Sequence, residues 1–336
     1  MTLKKMAGAL VLTFVLVFTA ACSSSSSGSQ ESDSGEWKPD KPIEIVAPAG
    51  PGGGWDTTAR MAAKVFEEEG IIQQDIGVIN KPGGGGALGW SYIHSKKSPN
   101  SLFVSSPPLL LVPLNGQSQY TYEDFTPIAN MIADYGAFAV RKDAKWDNLN
   151  ELFDDMKKDP SSITVIGASS PGSMDHIQFV KVAKKAGVDI KKIKYVSDQD
   201  GGALTALLNG SADVYTTGVA ETLEQAKAGK IKVLGVTSEE RLDGDVVSTF
   251  PTAKEQGIDA TFVNWRGFFG PPNMDEAALS YYEKKFKELS DSEAWAEIRE
   301  KYGWKEMYMD HDEYMEFLSK EKDELQKLID ELSLGK

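Results

Sequence analysis

The chain has 336 residues, with 36 Lys and Arg against 50 Asp and Glu and a formal net charge of −14. An apolar share of 41% supports real hydrophobic cores and excludes a disordered chain, and the length favours two domains. The acidic balance excludes the basic stripe that a nucleic-acid partner requires. One cysteine and three histidines exclude disulfide scaffolds, zinc ribbons and cysteine redox pairs.

The first residues are of a different kind. Lys4 and Lys5 precede a charge-free run over 6–21, which ends in Ala20 and Ala21 directly before Cys22. This is the pattern of a secretory signal peptide over 1–21, and the run is short for a membrane span. Cys22 resembles a lipobox, where bacterial lipoproteins are acylated and cleaved, with Thr19 standing where Leu is commonest. Plain signal-peptidase cleavage is the alternative. Residues 22–40, rich in Ser and acids, then act as a flexible linker from a lipid anchor. The apolar stretch 109–114 is too short to cross a bilayer and is broken by Pro113.

A strand–helix rhythm follows. The pattern predicts a strand over 43–47, a Gly/Pro loop over 48–54 and a helix over about 56–69 with an Ala59, Ala62, Ala63 face. A strand over 76–80, a second glycine loop over 81–86, a helix over 88–96, a strand over 102–105 and a turn and helix from 107 come next. Strands over 125–132 and 136–141 complete the first series. The second series has a helix over 149–159, a strand over 163–167, a polar loop over 169–173, a helix over 176–186 and a strand over 193–196. It continues with a short helix over 203–208, a strand over 213–216, a helix over 221–228 and a strand over 231–237. Pro271 and Pro272 open a charged tail, read as helical over 276–334. This alternation predicts mostly parallel, doubly wound α/β sheets in two units, with a crossover near 262–270. Ligands of such sheets bind beyond the carboxyl ends of strands, so a cleft between the units is the expected site.

Each unit opens with a bare turn between strand and helix. Pro51-Gly52-Gly53-Gly54-Trp55-Asp56 presents helix-start N–H groups without a covering Cβ, and Asn80-Lys81-Pro82-Gly83-Gly84-Gly85-Gly86 repeats the device one strand later. Two such turns facing one point make a pocket of N–H donors suited to a small carboxylate. No G-x-x-x-x-G-K-[ST] exists, which excludes a P-loop. Gly84, Gly86 and Gly89 fit G-x-G-x-x-G, but residues 109–112 stand where its ribose-binding acid belongs. A third loop, Ser169-Ser170-Pro171-Gly172-Ser173, opens the helix of Asp175 and His176. Ser173 reads as an N-cap, and the hydroxyls of Ser169 and Ser170 are candidate ligand donors. Ser173, Asp175 and His176 lie too close in sequence for a catalytic triad, and no G-x-S-x-G elbow accompanies them. The histidines, 82 and 135 residues apart, have no metal-ligand spacing, and no metal or cofactor is expected. Asp198 and Asp200 read either as solvated loop acids or as partners for a ligand amine.

Taken together, these motifs resemble the substrate-binding subunit of tripartite tricarboxylate transporters, the Bug-type extracytoplasmic solute receptors. The resemblance runs over nearly the whole mature chain. It rests on Pro42-Ile43 through Trp55-Asp56, Asn80 to Gly86, Leu204 to Asp213, Ala226 to Ile231, Thr237-Ser238 with Arg241, Pro251-Thr252 to Gly257, and Trp265-Arg266-Gly267 to Pro271, seven motifs in order. It implies a two-lobed periplasmic-binding-protein fold, each lobe a doubly wound sheet with flanking helices, closing on a small organic acid. Lobe 1 would be 41–141 plus 263–336 and lobe 2 would be 142–262. Carried over residue by residue, it implies first-lobe contacts at Pro51, Gly52, Gly53, Gly54, Asp56, Gly83, Gly84, Gly85 and Gly86. From the second lobe it implies Ser169, Ser170, Gly172 and Ser173, with Asp213 near the hinge-facing end. The family's "P-Y-K-G" is replaced here by Val196-Ser197-Asp198-Gln199-Asp200, which favours a mono- or dicarboxylate or an amino-bearing acid over a tricarboxylate.

The resulting expectation is a monomeric binding lipoprotein on the extracytoplasmic face of the membrane, delivering a carboxylate to integral membrane subunits. An anchored hydrolase using Ser169 or Ser173 with His176, and a receptor presenting ligand to a signalling partner, are the competing readings. Arg60, Arg141 and Arg266 are the cations to place, Arg266 first.

Overall fold

The computed structural model describes residues 37–198 and 201–332. The expected signal peptide, Cys22, the linker before residue 37, Gln199 and Asp200 lie outside the described residues.

The first three apolar runs form β1 (Ile43–Ala47), β2 (Ile76–Asn80) and β3 (Ser101–Ser105), with β1 parallel to both neighbours. Between and after them lie α1 (Gly54–Glu68), α2 (Ala87–Lys96) and α3 (Pro108–Leu114). Ala59, Ala62 and Ala63 are buried along α1, the small face that lets a helix lie close on a sheet.

The next strand departs from the sequence reading. β4 runs unbroken over Thr126–Arg141, sixteen residues, where two strands were expected on either side of Asp134. A charge in an apolar run reads as a turn, but Asp134 is fully buried in place because Arg266 neutralises it. The first part of β4 pairs antiparallel with β9 (Val263–Gly270) and β10 (Lys305–Met309). From Gly136 onward it pairs antiparallel with β7 (Val214–Gly218) and β8 (Ile231–Val236). β5 (Thr164–Gly167) stands between β6 (Lys194–Ser197) and β7, parallel to both. The strand order is β2-β1-β3-β9-β4-β7-β5-β6, with β8 and β10 also on β4. The parallel cores are as expected. The sheet as a whole is mixed, because β4 and β9 run against their neighbours and β8 and β10 add antiparallel ladders.

The second series supplies α4 (Leu149–Lys158), α5 (Met174–Lys185), α6 (Ala203–Leu208) and α7 (Val219–Lys227). The tail forms α8 (Glu276–Asp291), α9 (Glu293–Tyr302) and α10 (His311–Glu331), with β10 interrupting what was read as continuous helix. Gly303 ends α9 in the left-handed region, and Asn130 Nδ2 donates to the Met307 carbonyl at 2.6 Å, fixing the extra strand to β4.

Helices cover both faces. Phe66, Phe268, Phe286 and Trp295 pack α1, α8 and α9 on one side of the β1–β3–β9–β4 region. Trp90, Trp265, Phe269 and Tyr314 pack α2, α3 and α10 on the other, and Ile177 of α5 joins that cluster. Phe138, Phe153 and Phe179 fill a further core beneath α4 and α5. The strand ends that carry the three loops meet where β4 changes partners.

Candidate functional site

The first glycine turn is pinned from behind. Asp56, in the first turn of α1 and 3% exposed, accepts from the Gly52 N–H at 2.8 Å through Oδ2. Its Oδ1 accepts from Arg60 Nε at 2.9 Å and from Asn80 Nδ2 at 2.8 Å. Burial opposes the charge on Asp56, but Arg60, the Gly52 amide and Asn80 outweigh it and hold the carboxyl below its ordinary range. Asn80 also donates to the Ala49 carbonyl at 3.0 Å and accepts from Arg60 Nη2 at 3.0 Å. The strand-end asparagine of the second turn is thereby locked to the carboxylate of the first.

This arrangement redistributes the expected donors. The Gly52 N–H is taken by Asp56, and the Gly53 N–H by the Gly50 carbonyl at 3.3 Å. Gly54, Trp55 and Asp56 open α1, and helix-start amides have no partner inside their own helix. Asp56 therefore positions the turn, and the outward donors are the opening amides of α1.

In the second turn Gly83, Gly84, Gly85 and Gly86 all have positive φ, a run that only glycine sustains. A Cβ at Gly86 would stand 2.6 Å from the Trp90 ring, and Trp55 lies beyond it with its Nε1 donating to Ser106 Oγ at 2.9 Å. A Cβ at Gly85 would be 3.8 Å from Ser170 Oγ, so the second and third loops adjoin. Gln117, after α3, bridges the same gap: Ser170 Oγ donates to Gln117 Oε1 at 3.1 Å, and Gln117 Nε2 donates to the Pro171 carbonyl at 3.3 Å.

The third loop is held by an exchange between Ser169 and Asp175. The Ser169 N–H donates to Asp175 Oδ2 and the Asp175 N–H to Ser169 Oγ, each at 2.8 Å. Ser173 occupies the N-cap position of α5, yet its hydroxyl makes no capping bond, which corrects the sequence reading. Ser169 Oγ does that work from outside the cap, by accepting from the Asp175 N–H in the first turn of α5. The Gly172 N–H donates to His176 Nδ1 at 3.0 Å, and the imidazole stacks on Tyr195 at 4.4 Å. Burial pushes His176 down to about 4 and Asp175 up to about 7. His176 is accordingly neutral, with the proton on Nε2.

The sign for His176 follows from linkage. Below pH about 6.5 the unfolded chain takes up a proton that the folded imidazole refuses, so this residue removes stability as pH falls toward 4, by up to about 3 kcal/mol. His176→Gln is expected to erase that part of the acid dependence, visible in urea melts of both proteins between pH 4 and 7. In NMR the His176 C2–H shift is expected to stay constant above pH 5; a midpoint near 6.5 would contradict the burial account.

Four of the residues to be placed fall elsewhere. Asp213 precedes β7 at the end opposite the third loop, where its N–H donates to the Thr164 carbonyl at 2.9 Å and its Oδ2 accepts from the Thr164 N–H at 2.8 Å. A strand of this length places it about 13 Å from the loops, so Asp213 is a pairing residue at the far edge. Asp198 folds onto the start of α6, accepting from the Gly202 N–H at 3.2 Å. Arg141 pairs with Asp143 at the outer end of β4, and Arg60 lies behind the turns.

Arg266 does reach the site. It is 3% exposed, with Nη2 on Asp134 Oδ2 at 2.6 Å and Nη1 donating to the Gly54 carbonyl and Thr58 Oγ1, both at 3.3 Å. A Cβ at Gly54 would stand 2.5 Å from this guanidinium, which explains a glycine there. Burial lifts the Asp134 carboxyl to about 7 against the pull of Arg266. Asp134 and Glu221, from β4 and α7, were missed in the sequence. Asp134 carried a signal, a lone acid inside an apolar stretch.

The family described as "Tripartite tricarboxylate transporter family receptor" matches residues 58–334. A UPF0065 protein of Bordetella pertussis is 25% identical over 88% of this chain and 91% of its own length. MatC of Rhodopseudomonas palustris, solved with bound malate, superposes with a TM-score of 0.73 at 22% identity, over 87% of this chain and 99% of that one. A second R. palustris protein, solved with adipate, gives 0.78 at 18% identity over 88% and 98%. These folds are of the two-lobed periplasmic-binding type. Among the described residues no helix is long and apolar enough to cross a membrane. Family and fold are those of receptors, and His176 has its Nδ1 committed to a backbone amide, so the hydrolase reading falls. With the family matched over residues 58–334, the chain belongs to the tripartite tricarboxylate transporter receptor family and is an extracytoplasmic solute-binding protein.

Proposed function

We propose that this protein captures a small organic carboxylate between two lobes and delivers it to integral membrane transporter subunits. The observation that carries the reading is the locking of the two glycine turns through Asp56 and Asn80, with Ser170 of the third loop beside Gly85. Opening amides of α1 and the Gly84 and Gly85 amides offer N–H donors to an anion on one side, and the third loop, Ser169 to Ser173, borders it on the other, with its Ser170 hydroxyl given to Gln117 and its Gly172 N–H to His176. Pro51 to Gly54 and Gly83 to Gly86 shape the near wall, while Asp56 keeps it in place. The exchange of β4 partners before Gly136 and the return of the chain in β9 support lobes at 41–141 plus 263–336 and at 142–262. Malate and adipate in the related structures support a small organic acid as the ligand.

Anchoring through acylated Cys22, with the residues between it and Trp37 as the leash, would keep a monomeric receptor near its transporter. Trp37 packs on Tyr281 and Tyr282, and Asp40 accepts from Asn100 Nδ2 at 2.7 Å, so the linker expected to reach residue 40 ends sooner. Cys22→Ser is expected to shift the chain from the membrane to the soluble fraction; unchanged membrane retention would remove the lipid anchor from the proposal. For the ligand, a thermal-shift screen with malate, succinate, glutarate, adipate and their amino counterparts is expected to raise Tm for at least one acid. Ligand at 100 times its Kd adds about 2.7 kcal/mol to the folded state. No shift with any of them would remove the carboxylate reading.

A further inference from the structure

Beyond the glycine turns, the place where β4 exchanges β9 for β7 carries more acid than base. Asp134, Asp175 and Glu221 come from β4, α5 and α7 and converge on the carboxyl end of β7, where Arg266 is the buried cation. Its charge is already engaged: Nη2 lies 2.6 Å from Asp134 Oδ2, and Nη1 holds the Gly54 carbonyl and Thr58. Glu221 Oε1 stands 4.0 Å from Nη2, outside hydrogen-bond reach.

The unpartnered atoms here share one chemistry. Glu221 Oε2, Asp175 Oδ1 and Asn264 Oδ1 are buried oxygens without a donor. Asp175 is 3% and Asn264 1% exposed; a Cβ at Gly218, at the end of β7, would stand 2.4 Å from Glu221 Oε2 and 3.0 Å from Asp134 Oδ2, and the Asp175 carbonyl accepts from Thr216 Oγ1 of the same strand at 2.8 Å. All three are acceptors. The α7 N-terminus favours an acid at Glu221 but leaves Oε2 without a bond. A second carboxylate of a ligand would be repelled here, whereas an ammonium group brings three donors and a compensating charge.

The geometry points to Glu221, with Asp175 behind it, as a specificity-determining subsite for the ammonium group of an amino-bearing carboxylate. This rests on the carboxylate-capture reading and narrows its substrate class to zwitterionic amino acids. One guanidinium separates the two ends, touching the Gly54 carbonyl at the opening of α1 and approaching Glu221 on its other side. A small amino acid spans that length, with its carboxylate on the glycine-turn amides and its ammonium on Glu221.

The test uses the full chain and titration calorimetry with matched probes: acetate and glycine, butyrate and 4-aminobutyrate, succinate and aspartate, glutarate and glutamate. In at least one pair the amino member is expected to bind at least tenfold more tightly. Glu221→Gln is expected to weaken that member at least tenfold while leaving the plain acid unchanged or tighter, and Glu221→Asp to fall between. Melting curves of both variants check that the fold is kept, and Glu221→Asp carries the comparison if the Gln variant does not fold. Plain acids that bind as well as or better than their amino partners overturn the subsite and leave carboxylate capture standing, as does a folded Glu221→Gln with undiminished amino-acid affinity. Binding by no member of any pair, nor by malate or adipate, overturns both.

Discussion

Arg266→Met is expected to destabilise the folded protein by about 3–5 kcal/mol, because it removes one partner of a buried ion pair and strands the other. Asp134 is fully buried in the middle of β4, and its Oδ2 takes its short bond, 2.6 Å, from Arg266. The methionine fills similar volume, so the loss reports charge and hydrogen bonding rather than a cavity. Part of it is relieved by protonation, since burial already lifts Asp134 to about 7. A raised folded pKa makes the protonated form the stable one below that value. The penalty in Arg266→Met is therefore expected to be largest above pH 8 and smaller at pH 5. Asp134→Asn combined with Arg266→Met is expected to recover at least half of the loss, because neither partner of the pair is left charged. Urea unfolding at the two pH values checks this; a loss below about 1 kcal/mol at pH 8 would mean that the pair is not a structural tie.

Gly86→Ala carries the second large effect. Its φ of +113° lies outside even the left-handed helical region, and its Cβ would meet the Trp90 ring at 2.6 Å. Backbone strain of about 1–3 kcal/mol and overpacking of about 1–3 kcal/mol add to an expected loss of about 2–6 kcal/mol. Trp90 is fully buried, so the ring has little room to yield, and the second turn must move instead. Ligand affinity is expected to fall with it. Gly50→Ala is the matched control in the first turn: its φ is not positive and nothing lies within 4 Å of the added methyl, so stability is expected to change by less than about 0.5 kcal/mol. Equal losses in the two variants would contradict the assignment of strain to the second turn.

The local parts of the site were legible in the residue order, and the long-range parts were not. A glycine run between a strand and a helix announces its backbone requirement directly, and both turns formed where 48–54 and 81–86 suggested. The pairing of Asp56 with Asn80 spans 24 residues and that of Asp134 with Arg266 spans 132, and nothing in local periodicity specifies such partners. β4 was split for the same reason: the charge at Asp134 looks like a break until its distant counter-ion is known. Asp213 illustrates the opposite case. The rule that ligands gather at carboxyl ends of strands points past Gly218 to Glu221, not to the residue that precedes β7. β10 escaped notice because five residues between two charged helices become a strand only by pairing with β4.

The most direct measurement is an amide NMR titration of the folded chain with whichever acid raises its Tm. Capture by main-chain N–H groups requires saturable shifts of the Gly54, Trp55, Gly84 and Gly85 amides, fitting one Kd, with Gly52 and Gly53 responding less because their hydrogens are already engaged within the turn. Saturable binding that leaves those four amides unmoved, with the shifts gathered elsewhere on the surface, would contradict it.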